Sequence, residues 1–408
     1  MLKEQVRFSD TRSTFRPTPD KIRAAIRETL TQIKDRALDT ERNRRVPQEN
    51  IRALREAGMF KVVQPQEFGG YEYDYTVLAD IIIDVAAACA STAWIAGLFS
   101  AHQWLLANLS LQAQRDVWLE DPDAVICGSY APTGKAIAVE GGYRLTGRWE
   151  FASGCDNAQW SFCAAMVPGD AEGTPPRPAF FLVSAQDYSI DDTWDVIGLA
   201  GTGSKTLVLE DAFAPGHRLV FLGPLLAGKA LGSVTYPQRG FDVPMLSLIP
   251  SCLASVSVGA AKGALEDYVA ATSKRVTRGA VVGANNRMAD FATIQLRVAE
   301  AAASIDAARM ILLRDIENVT KKVRDSGAAD PEDRITSRRG QAFAVSLSIR
   351  AAEALNASTG GYGLAMTNSV QRAWRDANAV GRHISLNWDV VGTMYGQMAL
   401  GLEPRGQF

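Results

Sequence analysis

The stretch WDVIGLAGTGSKTLVLEDAFAP, residues 194–215, decides how the middle of this 408-residue chain folds. Its second half, KTLVLEDAF (205–213), alternates apolar and polar side chains between a glycine-rich turn and Pro215, which predicts a half-buried strand. The turn, GLAGTGSKT, is superficially similar to a phosphate-binding loop. However, Ser204 breaks the required Gly-Lys order, and a strand follows where such a loop needs a helix. The stretch therefore predicts a sheet element and no nucleotide-phosphate loop.

Strand patterns continue upstream of this stretch. Alternating runs with frequent turn residues fill the chain from about residue 124, and Gly141-Gly142 between two of the runs predicts a hairpin turn. The runs are ICGSYA (126–131), GGYRLTGRWEF (141–151), WSFCAAMV (160–167) and RPAFFLV (177–183). We predict a small antiparallel β-domain at residues 124–222.

Helical periodicity dominates on both sides of this β-domain. Thr18-Pro19 is a helix start, and residues 75–108 predict buried helices broken near Ser91. Residues 221–247 predict a Gly/Pro-rich connection without regular structure that covers a site. Long Ala-rich helices follow. We therefore predict three domains: an N-terminal helical domain (1–123), the β-domain (124–222) and a C-terminal helical bundle (223–408).

Composition excludes several classes of partner. The formal net charge is −2 with no long run of one sign, so neither nucleic acid nor an anionic membrane is expected as the main partner. No apolar run approaches the ~20 residues of a membrane span, and the first residues lack a signal core, which predicts a cytoplasmic protein. The five cysteines never form CxxC and only three histidines occur, so we expect neither a metal site nor disulfides. No G-x-G-x-x-G follows a strand, so no nicotinamide site is expected either.

Three separated segments resemble one known family in the right order. They are ALREAGMFKVVQPQEFGG (53–70), the opening stretch at 194–215, and GGYGLAMTNSVQRAWRDA (360–377). All three are similar to segments of acyl-CoA dehydrogenases, and they span nearly the whole chain. The resemblance implies the acyl-CoA dehydrogenase fold, a mostly α member of the α+β class with an N-terminal helical domain, a small antiparallel β-domain and a C-terminal four-helix bundle.

The chemistry of a dehydrogenase does not fit as well as the fold. Such an enzyme needs a carboxylate base, and the family places it at one of two positions. At the first position this chain reads AVGRHISLNWD (379–389), with His383 where the base region lies. At the second, no Asp or Glu occurs between Asp242 and Glu266. Acyl-CoA dehydrogenation or oxidation is therefore an alternative and not the leading hypothesis.

Four further segments resemble the flavin-dependent oxygenases of the same fold. FASGCDNAQW (151–160), GSYAPTGK (128–135), SAHQW (100–104) and LGLEP (400–404) are similar to segments of p-hydroxyphenylacetate hydroxylase oxygenases. The resemblance implies the oxygenase component of a two-component monooxygenase. Such a protein takes reduced flavin, FADH2 or FMNH2, from a separate NAD(P)H:flavin reductase and uses O2 to form a flavin hydroperoxide that hydroxylates a small phenolic or other aromatic substrate. An N- or S-oxygenating monooxygenase and a catalytically silent assembly protein remain alternatives.

The resemblance also assigns residues. Ser153, followed by Gly154, becomes the hydroxyl near flavin N5, and His383 lies beside the flavin and the substrate. His102 and Ser129 become polar groups of the pocket, and Ser129 also approaches the cofactor. A histidine with a pKa near 6.5 is a natural base for a phenol, so His383 is the predicted catalytic base; a capping or interface role is its alternative.

Other residues carry weaker expectations. Arg278 matches the region that sends an arginine to a neighbouring subunit's flavin phosphates, and the resemblance implies a homotetramer. Asn387, four residues beyond His383, is predicted to orient its imidazole. A surface role is predicted for His217. The oxygenases carry an arginine near position 246, where this chain has Leu246 among apolar residues, so a substrate without an acidic tail is expected.

Overall fold

The structure is a computed structural model that describes residues 16–169, 173–276 and 287–408. It has the predicted order of helices, one sheet and more helices. The N-terminal helices are α1 (Pro19–Asp35), α2 (Ala37–Arg42), α3 (Gln48–Glu56), α4 (Tyr75–Ala88), α5 (Ala90–Ala107) and α6 (Leu111–Trp118).

The helix boundaries follow local signals in the sequence. The Thr18 hydroxyl accepts a hydrogen bond from the Lys21 N–H at the start of α1, as its cap position predicts. Gly58, with a left-handed φ of 84°, ends the helical conformation after α3. The break between α4 and α5 falls at Cys89, whose extended backbone interrupts the helix two residues before the predicted position. Local chemistry thus determines where these helices begin and end.

The middle of the chain forms a seven-stranded sheet in the order β5-β6-β2-β1-β3-β4-β7. Its strands are β1 (Ile126–Val139), β2 (Gly142–Ala152), β3 (Trp160–Val167), β4 (Arg177–Ser184), β5 (Ser189–Asp191), β6 (Lys205–Pro215) and β7 (Leu219–Phe221). The hairpin turn at Gly141-Gly142 is confirmed, because Val139 pairs with Gly142.

One pairing corrects the prediction of an antiparallel sheet. Strands β1 and β3 run parallel, with Ile126 opposite Trp160, and every other pairing among the described residues is antiparallel. The reason is topological: β2 leaves the hairpin on one side of β1, and residues 153–159 then carry the chain past the start of β1 to its other side. Ser153 and Gly154 lie at the beginning of this crossing.

The helices of the C-terminal part are α7 (Leu222–Leu226), α8 (Leu231–Thr235), α9 (Met245–Thr272), α10 (Ala292–Ser326), α11 (Pro331–Asn356), α12 (Ser369–Val380) and α13 (Trp388–Ala399). The first two correct the expectation of an irregular connection at 221–247. This connection buries apolar side chains such as Tyr236 and Phe241. The Trp104 indole also donates to Gly240 O at 2.9 Å. Burial and this contact hold the segment against α5.

Helix α9 is the most apolar helix of the bundle. By length and composition it could cross a membrane, but 89% of its most apolar window is buried inside the protein, so packing accounts for its composition. Pro250 lies within α9 and has no N–H to donate to the carbonyl of Leu246. The side-chain amide of Gln341, on α11, donates to that carbonyl at 3.1 Å instead. The proline thus creates a free acceptor that ties α11 to α9.

The sheet is fixed to the bundle at the glycine-rich turn GLAGTGSKT (198–206). The Leu199 N–H donates to the buried Asp376 carboxylate of α12 at 2.7 Å. Leu199 and Gly203 both have left-handed backbones, with φ of 54° and 53°. A side chain at residue 198 would overlap the Arg375 carbonyl, so glycine is required there. The segments 194–215 and 360–377 therefore contact each other directly.

The buried carboxyl of Asp376 should make the stability of the fold depend on pH. Burial raises the pKa of Asp376 from 3.8 to about 6, although the Leu199 N–H bond opposes the rise. Because the folded pKa lies above the unfolded one, this carboxyl stabilises the fold most at low pH, and that contribution is lost as pH rises from about 4 to about 6. Asp376→Asn keeps an acceptor for Leu199 but cannot ionise.

As pH rises through this interval, the wild type should lose stability relative to Asp376→Asn. We expect the difference in unfolding free energy to change by on the order of 2–3 kcal/mol in favour of the variant. Urea unfolding at several pH values measures the difference. Asp187→Asn, at an exposed aspartate, is the matched control and should show no such trend. A difference that stays constant with pH for Asp376→Asn would show that the carboxyl does not titrate there.

Candidate active site

One face of α5 lines the candidate site. Trp94, Leu98 and His102 are spaced four residues apart and therefore share a face, with the first and last separated by about 12 Å along the helix. Every other residue of α5 is buried, and only Leu98 is partly exposed. The partly exposed Leu98 lies between Trp94 and His102 on this face.

Ser153 lies where the chain leaves β2 and contacts one end of this face. The Trp94 indole N–H donates to Ser153 Oγ at 3.0 Å. The next residue, Gly154, has a left-handed φ of 76°, and a Cβ there would lie 2.7 Å from the ring of Phe99. Only glycine fits that position, so Gly154 allows the chain to place the Ser153 hydroxyl against α5.

A line of hydroxyl groups extends from Ser153 into the glycine-rich turn. Ser153 Oγ and Ser204 Oγ are 2.7 Å apart, and Ser204 Oγ and Thr202 Oγ1 are also 2.7 Å apart. The Thr202 hydroxyl donates to Leu199 O at 2.8 Å. All three hydroxyl residues are buried. The Ser153 hydroxyl is thus fixed by an uncharged chain of hydrogen bonds.

His383 lies on the other side of Trp94, in the turn between α12 and α13. The two rings meet edge to face with centroids 5.9 Å apart. The Ser385 N–H donates to His383 Nδ1 at 3.2 Å, which leaves the proton of the neutral ring on Nε2. Burial, and secondly the charge of Arg338, lower the pKa of His383 to about 4. Trp94 therefore brings Ser153 and His383 into one site, and the imidazole there is neutral.

Asn387 does not orient this imidazole as predicted. Its side-chain oxygen accepts from the N–H groups of Asp389 and Val390 and caps α13. The backbone of Ser385 orients the ring instead. The spacing of four residues was misleading because the helix begins only after Asn387.

His102 has both ring nitrogens engaged. Its Nδ1 lies 2.6 Å from Ile126 O, so it donates there, and its Nε2 accepts from the Tyr130 hydroxyl at 2.8 Å. Burial lowers the pKa of His102 to about 4. His102 therefore reaches a pocket ligand only through Tyr130. Tyr130 lies within the motif GSYAPTGK, and no role was predicted for it from the sequence.

The remaining polar residues singled out in the sequence lie in different settings. The buried Ser129 hydroxyl donates to Glu150 O at 2.6 Å and joins β1 to β2. His217 is partly exposed and lies 2.7 Å from the Asp116 carboxylate, in keeping with a surface role. Arg278 lies outside the described residues, so its contact with flavin phosphates stays a prediction.

Arg338 is a residue that the sequence analysis missed. It is only 4% exposed, and its one hydrogen bond among the described residues goes to Gln341 Oε1 at 2.9 Å. Its Nε has no partner, and burial lowers its pKa to about 10. The signal was available in the sequence, because Arg338 falls on the same helical face as the buried Ile335 and Ala342. A charged residue on a buried face, without a carboxylate partner in the described chain, indicates a ligand.

The residues present fit a flavin ring. Ser153 is an uncharged hydrogen-bonding group of the right kind for a ring nitrogen. Large apolar side chains next to the site are open to solvent: Phe151 is 66% exposed, Ile197 82% and Ile384 78%. Such side chains suit the faces of an uncharged aromatic ring system.

Comparison with known proteins identifies the family. The acyl-CoA dehydrogenase N-terminal domain matches residues 17–121, and the acyl-CoA dehydrogenase C-terminal domain matches residues 251–388. The chain is 59% identical over 377 residues to the FADH2-dependent resorcinol hydroxylase oxygenase component of Rhizobium sp. strain MTP-10005, covering 91% of this chain and 92% of that protein.

Solved structures agree with this relationship. The 3-HSA hydroxylase from Rhodococcus sp. RHA1 superposes with a TM-score of 0.88 at 34% identity, covering 96% of this chain and all of that one. XiaF from Streptomyces sp., in complex with FADH2 and glycerol, superposes with a TM-score of 0.86 at 28% identity, covering 96% of this chain and 98% of that one.

The fold and the matched domains show that this chain belongs to the acyl-CoA dehydrogenase family. Within that family it is the oxygenase component of a two-component flavin-dependent monooxygenase, which uses reduced flavin from a separate reductase together with O2. Both expectations from the sequence resemblance are confirmed, and the dehydrogenase alternative is not supported.

We expect the two buried histidines to hold opposite neutral tautomers, His102 with its proton on Nδ1 and His383 with its proton on Nε2. Because the pKa of each is lowered to about 4, neither ring should titrate between about pH 5 and about pH 8. Long-range proton–nitrogen NMR distinguishes the tautomers, and single His→Gln variants assign the signals of the three histidines. A His383 ring protonated on Nδ1 would contradict the Ser385 contact.

Proposed function

We propose that this chain hydroxylates a small phenol of the dihydroxybenzene class, such as resorcinol, at a ring carbon, with FADH2 as the flavin. Support comes from the identity with a resorcinol hydroxylase and from one observation in the structure. The neutral His383 donor and the buried cation Arg338, which lies close enough to lower the pKa of His383, fit one ionised hydroxyl oxygen of such a phenol. The other polar groups at the site, such as Ser153 and Tyr130, are uncharged.

The residues that would hold the flavin are Ser153 and Gly154, with Ser129 bracing the strands behind them. When bound, reduced flavin supplies the electrons that activate O2. The Ser153 hydroxyl offers one uncharged hydrogen bond at flavin N5, and Gly154 lets the backbone approach. The buried side chains of α5 keep water away from this end of the site.

His383 is proposed to act as a hydrogen-bond donor rather than as the base expected from its sequence position. Ser385 occupies Nδ1, so Nε2–H is the group available to a ligand. An imidazole whose pKa is lowered to about 4 is a weak base towards a phenol, whose pKa is near 10 as in tyrosine. Donating to the substrate oxygen stabilises the phenolate, the ionised form whose ring is hydroxylated more readily.

Arg338 is proposed to favour the ionised form of the same oxygen. A buried guanidinium without a carboxylate is costly, and a bound phenolate would supply the missing opposite charge. Gln341 fixes its position, because the Gln341 amide is itself anchored on Leu246 O and Ser247 O of α9. One buried cation matches one phenolate and leaves no partner for an additional carboxylate, which agrees with the apolar surroundings of Leu246.

A panel of substrates tests this function directly. The protein is combined with a generic flavin reductase, NADH and FAD, and consumption of NADH and O2 is compared with product for resorcinol, p-hydroxyphenylacetate and an aromatic thioether. We expect stoichiometric hydroxylation of resorcinol and poor coupling with the acid. Efficient oxygenation of the thioether alone would overturn the phenol proposal.

We expect His383→Ala and Arg338→Met to lose coupling at neutral pH. Each variant removes a stabilising contact to the phenolate oxygen, so the ratio of hydroxylated product to H2O2 should fall by about 10²-fold. Part of the loss should return near pH 10, where the free phenol ionises without help. The measurement is product and H2O2 yield as a function of pH.

Matched variants separate this role from general damage. His217→Ala removes a partly exposed histidine and should couple as the wild type does. Arg338→Lys keeps the charge and should retain more coupling than Arg338→Met. If His383→Ala hydroxylates resorcinol at neutral pH with wild-type coupling, the proposed donor is wrong and Tyr130 becomes the next candidate.

The assembly, location and domain limits stay proposals. We propose a cytoplasmic homotetramer and retain the division at residues 1–123, 124–222 and 223–408. Large exposed apolar side chains are concentrated near the C-terminal end, which favours an interface there. They are Tyr362, Leu364, Met366, Ile384, Trp388, Val390, Leu400 and Leu402.

A further inference from the structure

The hydroxyl chain behind Ser153 has a direction. Thr202 has a single hydroxyl proton, and it donates that proton to Leu199 O at 2.8 Å. In its contact with Ser204, Thr202 must therefore accept, and Ser204 must donate. Ser204 then has no proton left for Ser153, so in their contact Ser153 donates and Ser204 accepts.

The hydrogen bonds already made by the Ser153 hydroxyl limit what it can offer to a ligand. Its only proton is used towards Ser204, and one of its two lone pairs is used by the Trp94 N–H. One lone pair remains. Towards a ligand, Ser153 is therefore an acceptor and not a donor.

This property distinguishes the two redox states of a flavin. N5 carries a hydrogen in reduced flavin and is a donor there, whereas in oxidised flavin N5 has only a lone pair and is an acceptor. We propose that Ser204 and Thr202 are specificity-determining residues that, by fixing the direction of the hydroxyl chain, make the site select reduced over oxidised flavin. The proposal rests on the proposed position of Ser153 at N5.

Asp376 holds in place the residue at which the hydroxyl chain ends. Its carboxylate accepts from the Leu199 N–H at 2.7 Å, and the carbonyl of the same residue is the final acceptor of the hydroxyl chain. Asp376 therefore fixes the position of the residue whose carbonyl receives the Thr202 proton. If the chain were reversed, the Thr202 hydroxyl would lose its hydrogen bond to Leu199 O, and the Ser153 proton would point towards the ligand. The turn therefore opposes the arrangement that oxidised flavin needs.

The test compares the dissociation constants of oxidised and reduced FAD. In Ser204→Ala the Ser153 proton loses its acceptor and becomes free to donate to N5 of oxidised flavin. We expect oxidised FAD to bind more tightly than in the wild type. The ratio of the oxidised to the reduced dissociation constant should fall on the order of tenfold, the value of one hydrogen bond. Fluorescence titration measures the oxidised state, and anaerobic ultrafiltration measures the reduced state.

Thr202 provides a second pair of variants. Thr202→Val removes the hydroxyl at similar volume, frees Ser204 to turn towards Ser153, and should lower the ratio in the same direction. Thr202→Ser keeps the hydroxyl and should leave the ratio as in the wild type. A merely structural role would weaken both redox states together, so tighter binding of oxidised FAD is the distinguishing sign.

Ser153→Ala separates failure of this inference from failure of the proposed site. Suppose that Ser153→Ala changes the dissociation constant of reduced FAD, while Ser204→Ala and Thr202→Val leave the ratio of the two dissociation constants unchanged. Ser153 then contacts the flavin, but the hydroxyl chain does not select its redox state, and the inference is overturned. If Ser153→Ala alters neither constant, the proposed flavin position is wrong and the inference falls with it. A lowered ratio in both Ser204→Ala and Thr202→Val, retained in Thr202→Ser, supports it.

Discussion

The hydrogen bond from the Leu199 N–H to the buried Asp376 carboxylate is the contact on which the site depends. It fixes the left-handed turn of the sheet domain onto α12, and α12 leads directly into the turn that carries His383. The carbonyl of the same residue anchors Thr202, and through Thr202 and Ser204 it anchors Ser153. Leu199 therefore links the sheet side of the site, where Ser153 lies, to the helical side, where His383 lies.

The second constraint is that nearly all the buried polar side chains of the site are uncharged. His102 and His383 are both held neutral, because burial lowers the pKa of each to about 4. Trp94, Ser153, Ser204 and Thr202 contribute only uncharged hydrogen bonds. Arg338 is the exception, and its lack of a carboxylate partner among the described residues concentrates positive charge at one place. An oxygenase needs this combination, since water and stray proton donors divert activated oxygen into H2O2.

Much of the fold could be predicted because its signals are local. The alternation in KTLVLEDAF, the Gly141-Gly142 turn and the Thr18 cap each act within a few residues, and each prediction is confirmed. The errors fall where distant contacts decide. β1 and β3 pair in parallel because of a crossing that no local pattern encodes. The connection at 221–247 forms two short helices and is held by contacts distant in the sequence, such as Trp104 with Gly240 O.

The sequence by itself determined the family, most of the strands and helices, and the presence of Ser153, His383 and His102, because these stand within recognisable motifs. Only the tertiary structure decided what those residues can do. Trp94 is 59 residues from Ser153, and Ser204 is 51 residues from it, so neither contact is visible as a motif. The proton on His383 Nε2, the engagement of His102 by Tyr130 and the isolation of Arg338 likewise depend on neighbours brought together by packing. Hydrogen-bond direction and buried charge are properties of the assembled surroundings, and a residue type alone does not carry them.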